Sequence, residues 1–208
     1  MIMKEIYTIG YAGFAIDDFI AVLKKYNINS LIDVRSSPRS EFYKNYNKTD
    51  LDNKLKKSRI IYRNYKKEFG ARQNNSQYYP NGYLDFNLFA LSEEFRSGFE
   101  KIANAIPLGY RFVLMCSEKD PITCHRTIMV AREFHKSGFV IKNILQDGSF
   151  ILQEEIEQRL VDMYYPNREQ LSFFEEDQLS WEEMVKNSYS FQNEKIGFQF
   201  DSEEAYYD

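Results

Sequence analysis

Two short polar segments hold most of the side chains able to do chemistry. Asp33-Val-Arg-Ser-Ser-Pro-Arg-Ser40 offers a carboxylate, two guanidinium groups and three hydroxyls, and Cys116-Ser-Glu-Lys-Asp-Pro-Ile-Thr-Cys-His-Arg126 offers two thiols, carboxylates, an imidazole and a guanidinium. Guanidinium forks match the geometry of phosphate and carboxylate. Arg35, Arg39 and Arg126, with Ser40 and Tyr11, are therefore the anion- or substrate-binding candidates. Asp33 and Glu118 are the acid/base candidates, because carboxylates just past buried strands are expected to have raised pKa values. His125 joins them for proton transfer. The competing reading is structural: Asp33–Arg35 and Glu118–Arg126 would then be ion pairs that brace loops.

Cys124 and Cys116 are candidate nucleophiles, activated by a helix N-terminus and a nearby histidine. Cys116, which ends an apolar run, is equally readable as a small buried side chain. Three possible ligands (Cys116, Cys124, His125) fall short of a closed structural zinc site, and C-x7-C-H lacks the usual short ligand spacing. No metal and no cofactor are expected. Neither G-x-G-x-x-G nor G-x-x-x-x-G-K-[ST] occurs. No arginine stands at the sixth position after either cysteine, so a cysteine-phosphatase loop is absent.

The elements around these segments read as alternating strands and helices. Glu5–Ile9 is a short β-rich run closed by Gly10-Tyr-Ala-Gly13. Ile16, Phe19, Ile20 and Leu23 recur at i, i+3, i+4, i+7, with Asp17 and Asp18 at the start and Lys24 and Lys25 at the end of the implied helix. Leu31–Val34 reads as a buried strand, which completes a βαβ unit and implies a parallel pair. Residues 39–58 read as a loop and a short helix with Thr49 as N-cap. Arg59–Arg63 is a third strand and 64–83 a long surface loop. A helix marked by Phe95, Phe99, Ile102 and Ile106 is stopped by Pro107. Strand Arg111–Cys116, a helix over 124–137, strand Phe139–Leu145 and a helix with Ile156, Leu160 and Met163 on one face follow. The predicted fold is α/β: a single doubly wound, mostly parallel sheet with flanking helices over residues 1–165. Residues 166–208 form an acidic, aromatic extension (Phe173, Phe174, Trp181, Tyr206, Tyr207), packed on the domain or partly disordered. In such sheets ligands bind beyond the carboxyl ends of the strands, where both polar segments fall.

Thr8-Ile-Gly-Tyr11 before a helix, then Asp33-Val-Arg35 with Pro38 and Ser40, then Cys116, Glu118 and Cys124-His-Arg126, resemble domain-of-unknown-function family 488 over roughly residues 5–150. The resemblance implies a compact α/β fold and no settled reaction. It marks Gly10, Tyr11, Asp33, Arg35, Pro38, Ser40, Cys116, Glu118, Cys124, His125 and Arg126 as motif positions. Gly70-Ala-Arg72 loosely matches a glycine-rich turn of that family, while Glu41 stands where a basic residue is expected.

Charge is uneven along the chain. The net charge is −4, yet residues 39–72 carry 11 Lys/Arg against 4 Asp/Glu, and residues 154–208 carry 15 Asp/Glu against 4 Lys/Arg. The plain reading is two solvated faces. The sharper one is a nucleic-acid-binding module, in which Phe42, Tyr43, Tyr46, Tyr62 and Tyr65 stack on bases while Arg59, Arg63, Lys66 and Lys67 meet phosphates. Ahead of it stands an anionic small molecule, nucleotide-like or phosphorylated, bound at the strand ends. With two cysteines, no apolar run of membrane-spanning length and no secretory leader pattern at Met1–Glu5, a cytoplasmic location without membrane partners is expected. Oligomeric state is not legible.

Overall fold

A computed structural model describes residues 4–168 and 179–199. Six strands form one sheet: β1 (Glu5–Gly10), β2 (Ser30–Asp33), β3 (Ile61–Asn64), β4 (Phe112–Cys116), β5 (Val140–Ile144) and β6 (Phe150–Leu152). Their order is β3-β2-β4-β1-β5-β6. All neighbours are parallel except β5 and β6, which form an antiparallel hairpin. The fold is α/β, with a mostly parallel sheet and flanking helices. Central strands β1 and β4 are buried on both faces, so they read as continuous apolar runs.

Helices cover both faces. On one lie α1 (Ile16–Lys25) and α2 (Lys48–Lys57), which bury Ile16, Phe19, Ile20, Leu23, Leu51 and Leu55 against Tyr7, Ile9, Leu31, Val113 and Met115. The other face takes the short helices α3 (Lys66–Phe69) and α4 (Phe86–Phe89), then α5 (Glu93–Ala105), α6 (Arg132–Lys136), α7 (Gln153–Tyr164) and α8 (Trp181–Ile196). Its core is strongly aromatic: Phe69, Phe89, Phe95 and Phe134 are fully buried and meet mostly edge to face.

Several expectations change. β1 and β2 are parallel but not neighbours, because β4 lies between them. Non-local pairing decides strand order, and no local pattern records it. Helix α2 starts one residue after Asn47, not at Thr49; the Asn47 carboxamide instead accepts from the Ser40 backbone N–H at 2.6 Å. The loop 64–83 contains α3 and a 3-10 turn at Ser76–Tyr78. Pro107 sits inside a 3-10 turn (Ile106–Leu108) that continues from α5. On α7, Val161 is buried beside Ile156 and Leu160, while Met163 is 44% exposed. The segment expected as one helix over 124–137 is a π-helical stretch, Arg126–Ala131, running into α6. Of the extension's named aromatics, Trp181 is exposed at the start of α8; Phe173, Phe174, Tyr206 and Tyr207 lie outside the described residues.

The π-helical stretch is wholly buried. Polar side chains hold it to the sheet and to α7: Asn143 Oδ1 on β5 accepts from Thr8 (2.8 Å) and Thr127 (3.3 Å), and Asn143 Nδ2 donates to Gln153 (3.0 Å). Gln153 Nε2 in turn donates to the Tyr189 hydroxyl (2.9 Å) on α8. Satisfied buried networks of this kind impose a unique geometry. Helix α8 docks largely through polar groups. Asn193 accepts from the Phe86 N–H and donates to the Leu84 carbonyl, both at 2.8 Å, and Gln192 donates to the Ile122 carbonyl at 2.6 Å. Among the described residues, no helix is long and apolar enough to cross a membrane.

Candidate functional site

The polar segments meet beyond the carboxyl ends of β1, β2 and β4. Gly10 pairs with Cys116 at the last rung of β1 and β4. Two more backbone bonds extend the pairing past the strands, Tyr11 N–H to the Cys116 carbonyl (3.1 Å) and Ala12 N–H to the Ser117 carbonyl (3.0 Å). The loop after β1 therefore lies against the loop after β4.

Asp33 is fully buried at the end of β2 and fully engaged. Its Oδ1 accepts from Arg35 Nε at 2.8 Å and its Oδ2 from Arg35 Nη2 at 2.6 Å, a bidentate pair, while the Tyr62 hydroxyl donates to Oδ2 at 2.6 Å. Arg35 also donates to the Tyr46 carbonyl (2.9 Å), and its guanidinium lies 5.1 Å from the Tyr11 ring centroid. Burial works against the Arg35 charge, and the Asp33 carboxylate more than restores it. Burial and the same carboxylate push the Tyr62 hydroxyl pKa up. Arg35 Nη1 is buried without an acceptor.

The second cluster is built by β4 and the start of the π-helical stretch. A 3-10 turn (Pro121–Thr123), capped by Asp120 Oδ1 on the Ile122 N–H, folds the chain back so that Cys124 and His125 stand over Cys116. Asp120 with Pro121 at the first turn position is a helix-start pattern, but the turn it starts is 3-10, and the longer helix begins after His125. Cys116 Sγ lies 3.9 Å from His125 Nδ1, and Cys124 Sγ donates to Glu118 Oε2 at 2.8 Å. One ligand atom each of Cys116, Cys124 and His125 falls within 4.8 Å of the others. His125 Nε2 is 3.0 Å from the Val34 carbonyl, which can only accept, so Nε2 carries the hydrogen.

Electrostatics separates these groups. Burial raises the Glu118 pKa, but hydrogen bonds from the two thiols outweigh it and hold the carboxyl down to about 2. The expectation of a raised Glu118 is therefore corrected: its partners donate, and donors favour the charged form. Burial and the neighbouring Cys124 and Glu118 push Cys116 well up. Cys124 is equally buried, yet the hydrogen bond from Cys116 and the charge of Arg126 draw it down, against the opposing Glu118 carboxylate. Of the two thiols, Cys124 is the one that ionises first. Burial lowers the His125 pKa, but Cys124 and Glu118 outweigh it and leave the imidazole above its ordinary value.

Arg126 is completely buried. Its Nη1 donates to the Glu118 carbonyl at 2.7 Å, while Nε and Nη2 have no hydrogen-bond partner. No carboxylate among the described residues forms an ion pair with it. The expected Glu118–Arg126 contact exists, but through the main-chain carbonyl and not the carboxylate. Ser40 supports its own loop, accepting from the Tyr43 N–H at 3.1 Å, and Arg39 is exposed.

A cleft of ≈ 570 Å³ opens beyond β2 and β3, lined by Ser36, Ser37, Lys66, Lys67, Arg72 and Glu94 among others. The turn that carries Ser36 and Ser37 follows Val34, the acceptor of the His125 bond. A second recess, ≈ 530 Å³, lies beside Lys119, Asp120, Gln146 and Arg159. The basic stretch 39–72 does not present a single aromatic face. Tyr46 and Tyr62 are core residues, whereas Phe42 is 93% exposed and Tyr43 is 39% exposed.

Ser117 and the Val34 carbonyl were not among the predicted site groups, and Tyr46 and Tyr62 were predicted only as residues that stack on bases. Tyr62 had a visible signal in its place on a predicted strand; the rest depend on contacts between distant segments. No curated protein and no solved structure matches the chain. A family model described as domain of unknown function DUF488 matches residues 15–132, a span that includes both polar segments and leaves out β1, β5, β6, α7 and α8. Covering more than half of the chain and carrying the motifs that form the site, this match shows that the protein belongs to the DUF488 family.

Proposed function

We propose that the chain binds an anionic small molecule, nucleotide-like or phosphorylated, at the carboxyl ends of β1, β2 and β4, and that it does so in the cytoplasm. The observation that carries this reading is Arg126: a fully buried guanidinium with two nitrogens lacking acceptors and, among the described residues, no ion-paired carboxylate. An uncompensated buried charge costs several kcal/mol. An oxyanion that accepts from Nε and Nη2 would remove that cost and gain two charge-assisted bonds. The Lys66, Lys67 and Arg72 side of the neighbouring cleft supplies further positive charge to draw such a ligand in. In this reading Glu118 and His125 carry proton transfer at the bound molecule. Asp33, already held by Arg35 and Tyr62, acts by fixing Arg35. Both cysteines are free thiols, as suits a reducing compartment.

The test is a thermal-shift screen with nucleotides, phosphorylated metabolites, dicarboxylates and short oligonucleotides, at low and high salt. A ligand at 100 times its dissociation constant adds about 2.7 kcal/mol. A shift with one small anion that persists in salt and disappears in Arg126→Lys supports the reading. A shift that survives in Arg126→Lys sinks it. A response to oligonucleotides alone that fades with salt would favour nucleic acid bound through residues 39–72.

A further inference from the structure

Cys116, Cys124 and His125 lie close together, a geometry in which the anion-binding reading leaves both thiols unused. From it we infer that these three residues ligate a divalent transition-metal ion, zinc before others, with the fourth position open on the side of Glu118. Their three ligand atoms fall within 4.8 Å of one another. Tetrahedral zinc, with Zn–S of about 2.3 Å and Zn–N of about 2.0 Å, requires ligand atoms about 3.5–3.8 Å apart. The Cys116 Sγ to His125 Nδ1 separation of 3.9 Å lies just outside that range, so a small side-chain adjustment completes the site. Two sulfurs and one imidazole are the donor set that zinc prefers over magnesium or calcium.

The histidine is oriented for this role. Its Nε2–H is committed to the Val34 carbonyl at 3.0 Å, which fixes the ring and turns Nδ1 toward the thiols. Metal-bound histidines characteristically anchor their second nitrogen in this way. The three residues are 2%, 1% and 7% exposed, so the centre is shielded, while Glu118, which keeps some exposure, marks the side from which an ion or a fourth ligand enters. Ligation replaces the two S–H bonds with S–metal bonds and releases both protons to solvent; no electron is transferred. The resulting metal–dithiolate unit is neutral. The Arg126 charge is therefore not consumed. Three protein ligands and one free position make this a site for chemistry and not a structural staple.

Metal binding is tested without any anionic ligand, so it succeeds or fails separately from the anion reading. The full chain is purified under reducing conditions without chelator, and bound metal is counted by mass spectrometry. The metal-free, folded protein is then titrated with Co2+. The expected result is about one metal per chain, and with Co2+ a thiolate-to-cobalt charge-transfer band together with the visible bands of a tetrahedral ion. Cys116→Ser and Cys124→Ser each lose part of the charge-transfer band. If reduced wild-type protein, folded by circular dichroism, takes up Co2+ with no thiolate band, the inference is overturned. It is equally overturned if the band survives undiminished in both cysteine variants, or if Cys116 and Cys124 are found joined as a disulfide in protein prepared with reductant.

Discussion

Gly10 and the Glu118 carbonyl are in such close contact that a Cβ at position 10 would lie inside that oxygen. The same oxygen accepts the Arg126 Nη1 bond at 2.7 Å, and Arg126 Nη1 itself would be only 3.2 Å from the added carbon. The glycine is needed here for close approach and not for an unusual φ. Gly10→Ala should destabilise the protein by about 1–3 kcal/mol, the usual cost of overpacking a tight site. A urea unfolding midpoint unchanged from wild type would show that the 116–118 loop yields without cost.

Asp33→Asn should be far more damaging than its small size change suggests. It removes the charge but leaves Arg35, 5% exposed, without its counterion. Breaking one side of a buried pair typically costs about 3–5 kcal/mol. Tyr62→Phe removes one of the hydrogen bonds to the same carboxylate and should cost about 1.5–3 kcal/mol. Equilibrium denaturation should rank Asp33→Asn below Tyr62→Phe in stability, and the reverse order would contradict this account of the β2 terminus.

Acid and base limits of stability should both register Glu5. Burial raises its pKa, but Lys142 (2.6 Å) and Arg111 (2.8 Å) outweigh that and lower it. A lowered carboxyl stabilises the fold above its ordinary pKa, and that contribution is lost as pH falls below the usual carboxylate range. Lys142 has the opposite sign: burial lowers its pKa, Glu5 more than reverses that, and the gain is lost as pH rises past the ordinary lysine value. Glu5→Gln should flatten both limbs of a plot of melting temperature against pH. Limbs parallel to those of wild type would mean the cluster is screened by solvent.

Asn193→Ala should strand the Phe86 N–H and the Leu84 carbonyl, both buried and each bonded to that carboxamide. Each orphaned group costs about 1–3 kcal/mol. The loss should appear as faster hydrogen exchange of the Phe86 amide before global unfolding, and unchanged exchange there would show that another group takes over.

Much of the architecture was readable because apolar periodicity is local. Ile16, Phe19, Ile20 and Leu23 all reach the core, and β4 lies within the predicted Arg111–Cys116. What escaped was non-local or polar. The placement of β4 between β1 and β2 depends on pairings more than 80 residues apart in sequence, as in Ser30 with Phe112. Strand β6 has only three residues, too few for a period. The buried face of α8 is formed by Ser188, Tyr189, Gln192 and Asn193, which a search for apolar spacing reads as solvent-facing. In the site, the two motifs were visible, but the partners were not. His125 finds Val34 across 91 residues, and Glu118 is ionised because the fold delivers Cys124 to it.

The polar docking of α8 has a consequence for how strictly that helix is positioned. Apolar faces slide past one another with modest loss, since one methyl contact substitutes for another. Directional bonds from Gln192 and Asn193 to the Ile122, Leu84 and Phe86 backbone do not permit that freedom. A shift of one residue along the helix would rotate these side chains by about 100° and break all of them together. Helix α8 thus behaves as a keyed part with a single seating. Because one of its anchor points is the Ile122 carbonyl, two residues before Cys124, that seating also sets the position from which the thiol cluster is presented.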